Sequence, residues 1–293
     1  MLEFKNFFDL CVPVALVSPQ HCKKTIETLY DYGYRTIAIN QVCQVQENDK
    51  EEGVNQNKKK KKGETVEPVP LPYDLSTIEE IKKELNIIDF KVFNRLTISF
   101  SRQENLHIIS KSENYKKYDI IAVNPLNTNA FMYCCKTFEA DILTFNPESK
   151  YNYKLNRKMY NLLVQKGYYF ELLYGPAIED QTKRKNLIHA SHLYHTFGKS
   201  KNIIFSSGAS NVLHFRNPYD VISFGFIFGL NEIQCKNAVS YSCRLLILSA
   251  IGRRHGKAVM FAENIELKDD DEIMIEENED DQEQPVLKKH KQL

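Results

Sequence analysis

Seven short runs rich in β-branched and aromatic residues, interleaved with stretches of helical periodicity, constrain this chain more than any other feature. FFDLCV (7–12), RTIAI (35–39), VFNRLTISF (92–100) and YDIIAV (118–123) read as strands. So do DILTF (141–145), YFELL (169–173) and NIIFS (202–206). Between them, residues 21–32 carry a helical pattern that leads to Gly33, and residues 156–166 carry one that runs to Gly167. Residues 179–197 place Leu187, Ala190, Leu193, Tyr194 and Phe197 on one face and stop at Gly198. Asn217-Pro218 is an N-cap followed by proline at the first helical position. Asn231 with Gln234 has the spacing of a capping box and opens a helix that the pattern carries to about Arg254. Strands alternating with helices mean βαβ units and a mostly parallel sheet. An open doubly wound sheet and a closed barrel fit the periodicity equally. The number of units and an ordered length of about 235 residues favour a TIM-like (β/α) barrel, whose functional face lies at the C-terminal ends of its strands.

Two segments lack any such pattern. Residues 44–70 hold the lysine run 58–62, and patterned sequence resumes on both sides, so this reads as a disordered insertion within one domain. The stretch 263–283 has twelve acids and one base, and the last ten residues carry +3, as a solvated tail does. The expected organisation is a barrel over 1–262 and a disordered tail over 263–293. The lysine run and KKHK (288–291) are each weak nuclear-import signals. The net charge of +1 conceals an asymmetry: Tyr151 to Ala262 has fifteen bases and five acids, hence +10, while the earlier patterned part is near −1. A half-domain so basic is an electrostatic footprint for polyanions.

The seven cysteines (11, 22, 43, 134, 135, 235 and 243) are odd in number and show no CxxC spacing, against a disulfide framework or a zinc ribbon. No signal peptide is apparent at the N-terminus, and the apolar run near Val221 to Leu230 is too short to span a bilayer, so no membrane association is expected. His189, His192 and His195 stand at i, i+3 and i+6, spread over about 120° of a helix, a poor arrangement for one metal ion. Asp9, Asp141 and Glu171 are strand carboxylates that could serve as acid and base at a barrel mouth. No histidine or cysteine accompanies them at a strand end, and neither a phosphate-binding GxxxxGK[ST] loop nor a GxSxG elbow occurs. No catalytic set, metal or cofactor is expected. The segment IIFSSGAS (203–210) ends a strand in small hydroxyl residues and glycine, a composition that lets backbone N–H groups approach a phosphate.

The runs GYRTIAIN (33–40), RLTI (95–98), FELLYGPAI (170–178), NIIFSSGAS (202–210), RNPYDV (216–221) and AVSYSCRLLIL (238–248) resemble, in order and spacing, the thirty-kilodalton protein subunit family of ribonuclease P and ribonuclease MRP. The resemblance covers nearly the whole patterned chain and fails over the insertion and the tail. It implies a barrel related to metal-dependent phosphoesterase barrels. It implies a non-catalytic RNA-binding subunit, working with a catalytic RNA that removes the 5′ leader of precursor tRNA and, in the MRP particle, with rRNA processing. It further implies a nuclear, nucleolar location and assembly with a small RRM-like subunit, in which two copies of each chain could pair pseudo-symmetrically. The related enzymes carry His-x-His after the Asp-Leu of their first strand. Here Cys11 and Pro13 follow Asp9-Leu10 in those places, and proline has no ligand atom. A metal-dependent phosphoesterase is therefore the secondary reading.

With RNA as the polyanion, the expected phosphate contacts are Arg184, Arg216, Arg244, Arg253 and Arg254. Lys201 and the turn Ser206-Ser207-Gly208 complete the set. Arg216 and Arg244 have a rival role in pinning the fold. The large apolar residues of 218–229 and 231–254, among them Phe224, Phe226, Phe228, Leu245 and Leu248, are expected mostly in the core, with part of that end docking the RRM-like subunit.

Overall fold

The computed structural model describes residues 7–44, 68–149 and 153–255. The lysine run and the tail lie outside them. All seven expected strands form: β1 (Phe7–Pro13), β2 (Tyr34–Gln44), β3 (Lys91–Phe100), β4 (Ile120–Pro125), β5 (Ile142–Leu143), β6 (Tyr169–Leu173) and β7 (Ile203–Ser206). They pair in chain order, every pair parallel. The helices are α1 (Cys22–Asp31), α2 (Ser76–Glu84), α3 (Gln103–Lys111), α4 (Thr128–Lys136) and α5 (Arg157–Gln165). After β6 come α6 (Tyr174–Glu179) and α7 (Gln181–Gly198), and after β7 come α8 (Pro218–Gly225), α9 (Glu232–Ala238) and α10 (Tyr241–His255).

The sheet curls into a barrel whose seam joins β1 to the end of β7. Gly208 N–H donates to the Cys11 carbonyl at 3.0 Å, and the Ser207 hydroxyl donates to the same oxygen at 3.0 Å. Gly208 does so at φ +51, where a Cβ would press on the Leu173 side chain at 3.0 Å. Strand alternation then divides the core. Leu96, Ile98, Ile121, Val123, Leu143, Phe170 and Phe205 face outward into the helices, while Ile37 and Ile39 meet Ile26 and Leu29 of α1. Inside the barrel, Leu10, Ala38, Ile120, Ala122, Ile142, Tyr169 and Ile204 meet Cys243, Leu246, Ile247 and Ala250. These inward residues come early in their strands, so α10 covers the N-terminal end of the barrel. Each buried Leu or Ile of this plug contributes roughly 1.5–3 kcal/mol by leaving water.

Three helix boundaries differ from expectation, each for a tertiary reason. The stretch 179–197 is two helices, because Asp180 is extended and its carboxylate accepts from the N–H groups of Thr182 and Lys183, capping α7. The left-handed residue that ends α7 is Lys199, at φ +50, rather than Gly198. Gly198 is required by contact, since a Cβ there would stand 1.9 Å from the Tyr160 ring, which stacks on Phe170 at 4.1 Å. The helix expected from Asn231 to Arg254 breaks at Val239, whose carbonyl accepts from Phe8 N–H of β1 at 3.0 Å. The Asn231 capping box forms as expected.

Candidate functional site

Beyond the apolar layer, the same alternation turns a polar ring into the mouth of the barrel. Asn40, Thr97, Ser99, Asn124, Thr144, Glu171 and Ser206 are all buried there, each two or more residues after an inward apolar neighbour. At its centre lies Arg95, 1 % exposed. Its fork grips Glu171 through two bonds, Nη1 to Oε1 at 2.5 Å and Nη2 to Oε2 at 2.7 Å. Nη1 also donates to the Leu10 carbonyl at 2.7 Å, and Nε to Thr97 Oγ1 at 3.3 Å. Thr97 in turn donates to Asn40 Oδ1 at 2.6 Å. Burial by itself would raise the Glu171 carboxyl, but the charge and hydrogen bonds of Arg95 hold it below the usual range.

Asp9 sits beside this pair with a different task. Its Oδ1 accepts from Ser207 N–H at 2.9 Å and Cys11 N–H at 3.2 Å, so the carboxyl staples the barrel seam. Burial raises its pKa against those bonds, and the Glu171 charge adds to the rise. Asp141 stands at the opposite end, just ahead of β5, where the Arg253 fork grips it at 2.9 and 2.8 Å. The three strand carboxylates expected as acid and base thus serve three separate structural jobs.

The divalent cation that the phosphoesterase reading would require does not fit this mouth. The Cys11 thiol is pushed up to about 12, chiefly by burial, Pro13 offers no donor, and the centre is filled by a guanidinium. Among the described residues no three His, Cys, Asp or Glu side chains gather as metal ligands. His189, His192 and His195 are all exposed on α7. On the rim, Ser210 donates to Glu179, and His214 Nδ1 lies 3.2 Å from Ser210 and 3.3 Å from Glu179. Both partners meet the same ring nitrogen, so this trio cannot relay a proton from serine through histidine to the acid.

The residues expected to contact phosphate do not converge. Ser206 and Ser207 are buried, and the N–H groups of Ser207 and Gly208 are engaged in closing the barrel. Arg184 donates to the Ala177 and Ile178 carbonyls at the end of α6. Arg216 donates to the Leu213 and Phe215 carbonyls and borders a cavity of about 210 Å³ lined also by Tyr174, Ile178 and Phe224. Arg244 is half-buried on α10. Arg253 holds Asp141, and Arg254 pairs with Asp119, both at the N-terminal end of the barrel. Lys201 is exposed at that end too. The sequence reading passed over two features. One is Arg95, whose signal was a lone arginine at an inward strand position among strand carboxylates. The other is a set of exposed cations, Arg157 and Lys158 on α5 and Lys185 and Lys199 on or capping α7.

Residues 6–255 match the family described as RNase P subunit p30. Ribonuclease P protein subunit p30 of Mus musculus is 31 % identical over 230 residues, covering 78 % of this chain and 80 % of that protein. The ribonuclease P/MRP protein subunit RPP1 of Saccharomyces cerevisiae is 26 % identical over 244 residues, covering 80 % and 73 %. A chain of the archaeal ribonuclease P solved with mature tRNA by cryo-electron microscopy superposes with a TM-score of 0.58 at 13 % identity, covering 90 % of this chain and all of that one, a likeness of fold.

Proposed function

This chain belongs to the ribonuclease P subunit p30 family, and from that premise we propose that it is a non-catalytic, RNA-contacting protein of a nuclear, nucleolar ribonuclease P particle. The particle's RNA performs the hydrolysis that removes the 5′ leader of precursor tRNA. Service in ribonuclease MRP and rRNA processing is part of the same reading, since the yeast relative is named for both particles. The observation that carries it is the extent of the family match, which runs through essentially every described element. The +10 charge of residues 151–262 supports contact with RNA, and the arginine-filled mouth speaks against the phosphoesterase alternative.

RNA contact in this reading is phosphate-directed and lies on the outer face of α5 and α7. Arg157, Lys158, Lys185 and Lys199 extend there into solvent, Lys201 joins them from the turn between α7 and β7, and Arg216 is a further candidate at the cleft. Structured RNA is read by shape and backbone, so sequence preference is slight. Replacing Arg157, Lys185, Lys199 and Lys201 together with alanine is expected to weaken binding of the full chain to ribonuclease P RNA uniformly. The slope of log affinity against log salt should fall by roughly 3 units, given about 0.7–0.9 per phosphate contact. Melting temperature should stay nearly unchanged, because these side chains are exposed. An unaltered affinity and salt slope would leave the basic half as solvated surface and the chain as a protein scaffold.

The RRM-like subunit docks, in the same reading, on the elements after β7. Phe228 joins the core as expected, but Phe226, Ile227, Ile233, Tyr241 and Leu245 keep between 37 % and 70 % of their surface exposed. Ile233→Asp combined with Phe226→Asp should abolish co-purification of the co-expressed pair with little loss of stability. Size measurement checks this, and an intact complex would move the contact elsewhere.

A further inference from the structure

The mouth of the barrel is unused by the RNA-contacting reading, yet it holds a fully buried arginine and two buried carboxylates. The two carboxylates, Asp9 and Glu171, are each 1 % exposed, and the Glu171 charge helps raise the Asp9 carboxyl. Arg95 lies between the strands that carry them. Every acceptor of its side chain is an oxygen: both carboxylate oxygens of Glu171, the Leu10 carbonyl and Thr97 Oγ1. The Asp9 charge also acts on Arg95, and Asp9 Oδ2 accepts no hydrogen bond among the described residues. Without the guanidinium, what remains is a shell of hard oxygen donors with two buried carboxylates. Such a shell relieves its repulsion by taking up a proton or a hard divalent cation.

We propose that Arg95 is a built-in cation, filling the oxygen-lined mouth of the barrel in place of a divalent metal, and that its guanidinium is what makes this protein indifferent to metal. A planar fork suits the position because it meets both Glu171 oxygens at once while its remaining N–H groups reach Leu10 and Thr97. It carries a fixed charge that no change of cellular metal supply can remove. The mouth is thus a closed structural centre, in keeping with the thiol and the proline at positions 11 and 13.

The test is thermal unfolding of the full chain with and without Mn²⁺, together with metal analysis of the purified protein. Wild type should carry no stoichiometric divalent metal, and its melting temperature should not respond to Mn²⁺. Arg95→Ala should melt lower and be raised by Mn²⁺ by roughly 5–10 °C when the ion is present at about a hundred times its Kd. Arg95→Ala with Glu171→Gln should lose that response, and Arg95→Lys, which keeps a charge, should show none. If Arg95→Ala is recovered only unfolded, refolding that succeeds with Mn²⁺ and fails without it supports the proposal. Failure in both conditions overturns it. So does a folded Arg95→Ala that ignores Mn²⁺, or a wild type that holds one bound divalent ion.

Discussion

Replacing Glu171 with alanine should lower the stability of the barrel by roughly 3–5 kcal/mol, the range seen when one member of a buried ion pair is removed. For a fold of this size that amounts to a melting temperature about ten degrees lower. The size of the effect comes from what is left behind. Arg95 would keep its charge at 1 % exposure, with Leu10 O and Thr97 Oγ1 as its remaining partners. Asp9 is nearby, but its Oδ1 is committed to the Ser207 and Cys11 N–H groups. Glu171→Gln preserves the shape and one acceptor, so it should lose less. Its pH dependence distinguishes electrostatics from packing. The folded Glu171 carboxyl lies below its ordinary value, so it contributes stability above the unfolded pKa, about 4.3, and loses it as pH falls through the folded value. The stability gap between wild type and Glu171→Gln should therefore narrow below about pH 4. Asp9 acts in the opposite sense. Its raised pKa contributes stability at acid pH that is lost as pH rises through the folded value. Denaturant titrations at pH 7 and at acid pH measure both. A Glu171→Ala protein as stable as wild type would mean that the pair contributes no more than an apolar core would.

The strands were legible because each buries an alternating or continuous apolar run, and that burial is a local property of sequence. The Asn217 and Asn231 caps were legible for the same reason: donor and acceptor lie three residues apart or fewer. The breaks were not. Helix periodicity continues across Val239, and only the distant Phe8 N–H shows why the helix yields there. Gly198 reads as a helix stop until Tyr160 is seen against it. The carboxylates illustrate the limit most clearly. Asp9, Asp141 and Glu171 stood out as rare charges in strands, and the structure shows all three at work. Their most distant partners, however, are 198, 112 and 76 residues away, and nothing local distinguishes a seam staple or an ion pair from an acid awaiting substrate. Total charge marked out a basic half of the chain but could not separate arginines that hold the fold from lysines left in water.

Arg253 is where that separation can be measured. It was expected on charge grounds to meet RNA phosphate, yet its fork is closed on Asp141, with Nη2 also donating to the Asp119 carbonyl at 3.2 Å. Together with the Arg254–Asp119 pair, it ties the end of α10 to the starts of β4 and β5, beneath the apolar plug. Arg253→Ala should cost about 3 kcal/mol. That is the low end of the range for a buried pair, because Arg253 keeps 21 % of its side chain exposed while Asp141 keeps 3 %. The loss should be shared with Asp141. In a double-mutant cycle, Arg253→Ala and Asp141→Asn together should cost clearly less than the sum of the two single changes. RNA binding by Arg253→Ala, measured below its melting transition, should keep the wild-type salt slope, since no phosphate contact has been removed. The exposed set on α5 and α7 should give the reverse, a reduced slope with an unchanged melting temperature. A reduced slope for Arg253→Ala, with stability intact, would place RNA on the end of α10 and make the Asp141 pair secondary to it.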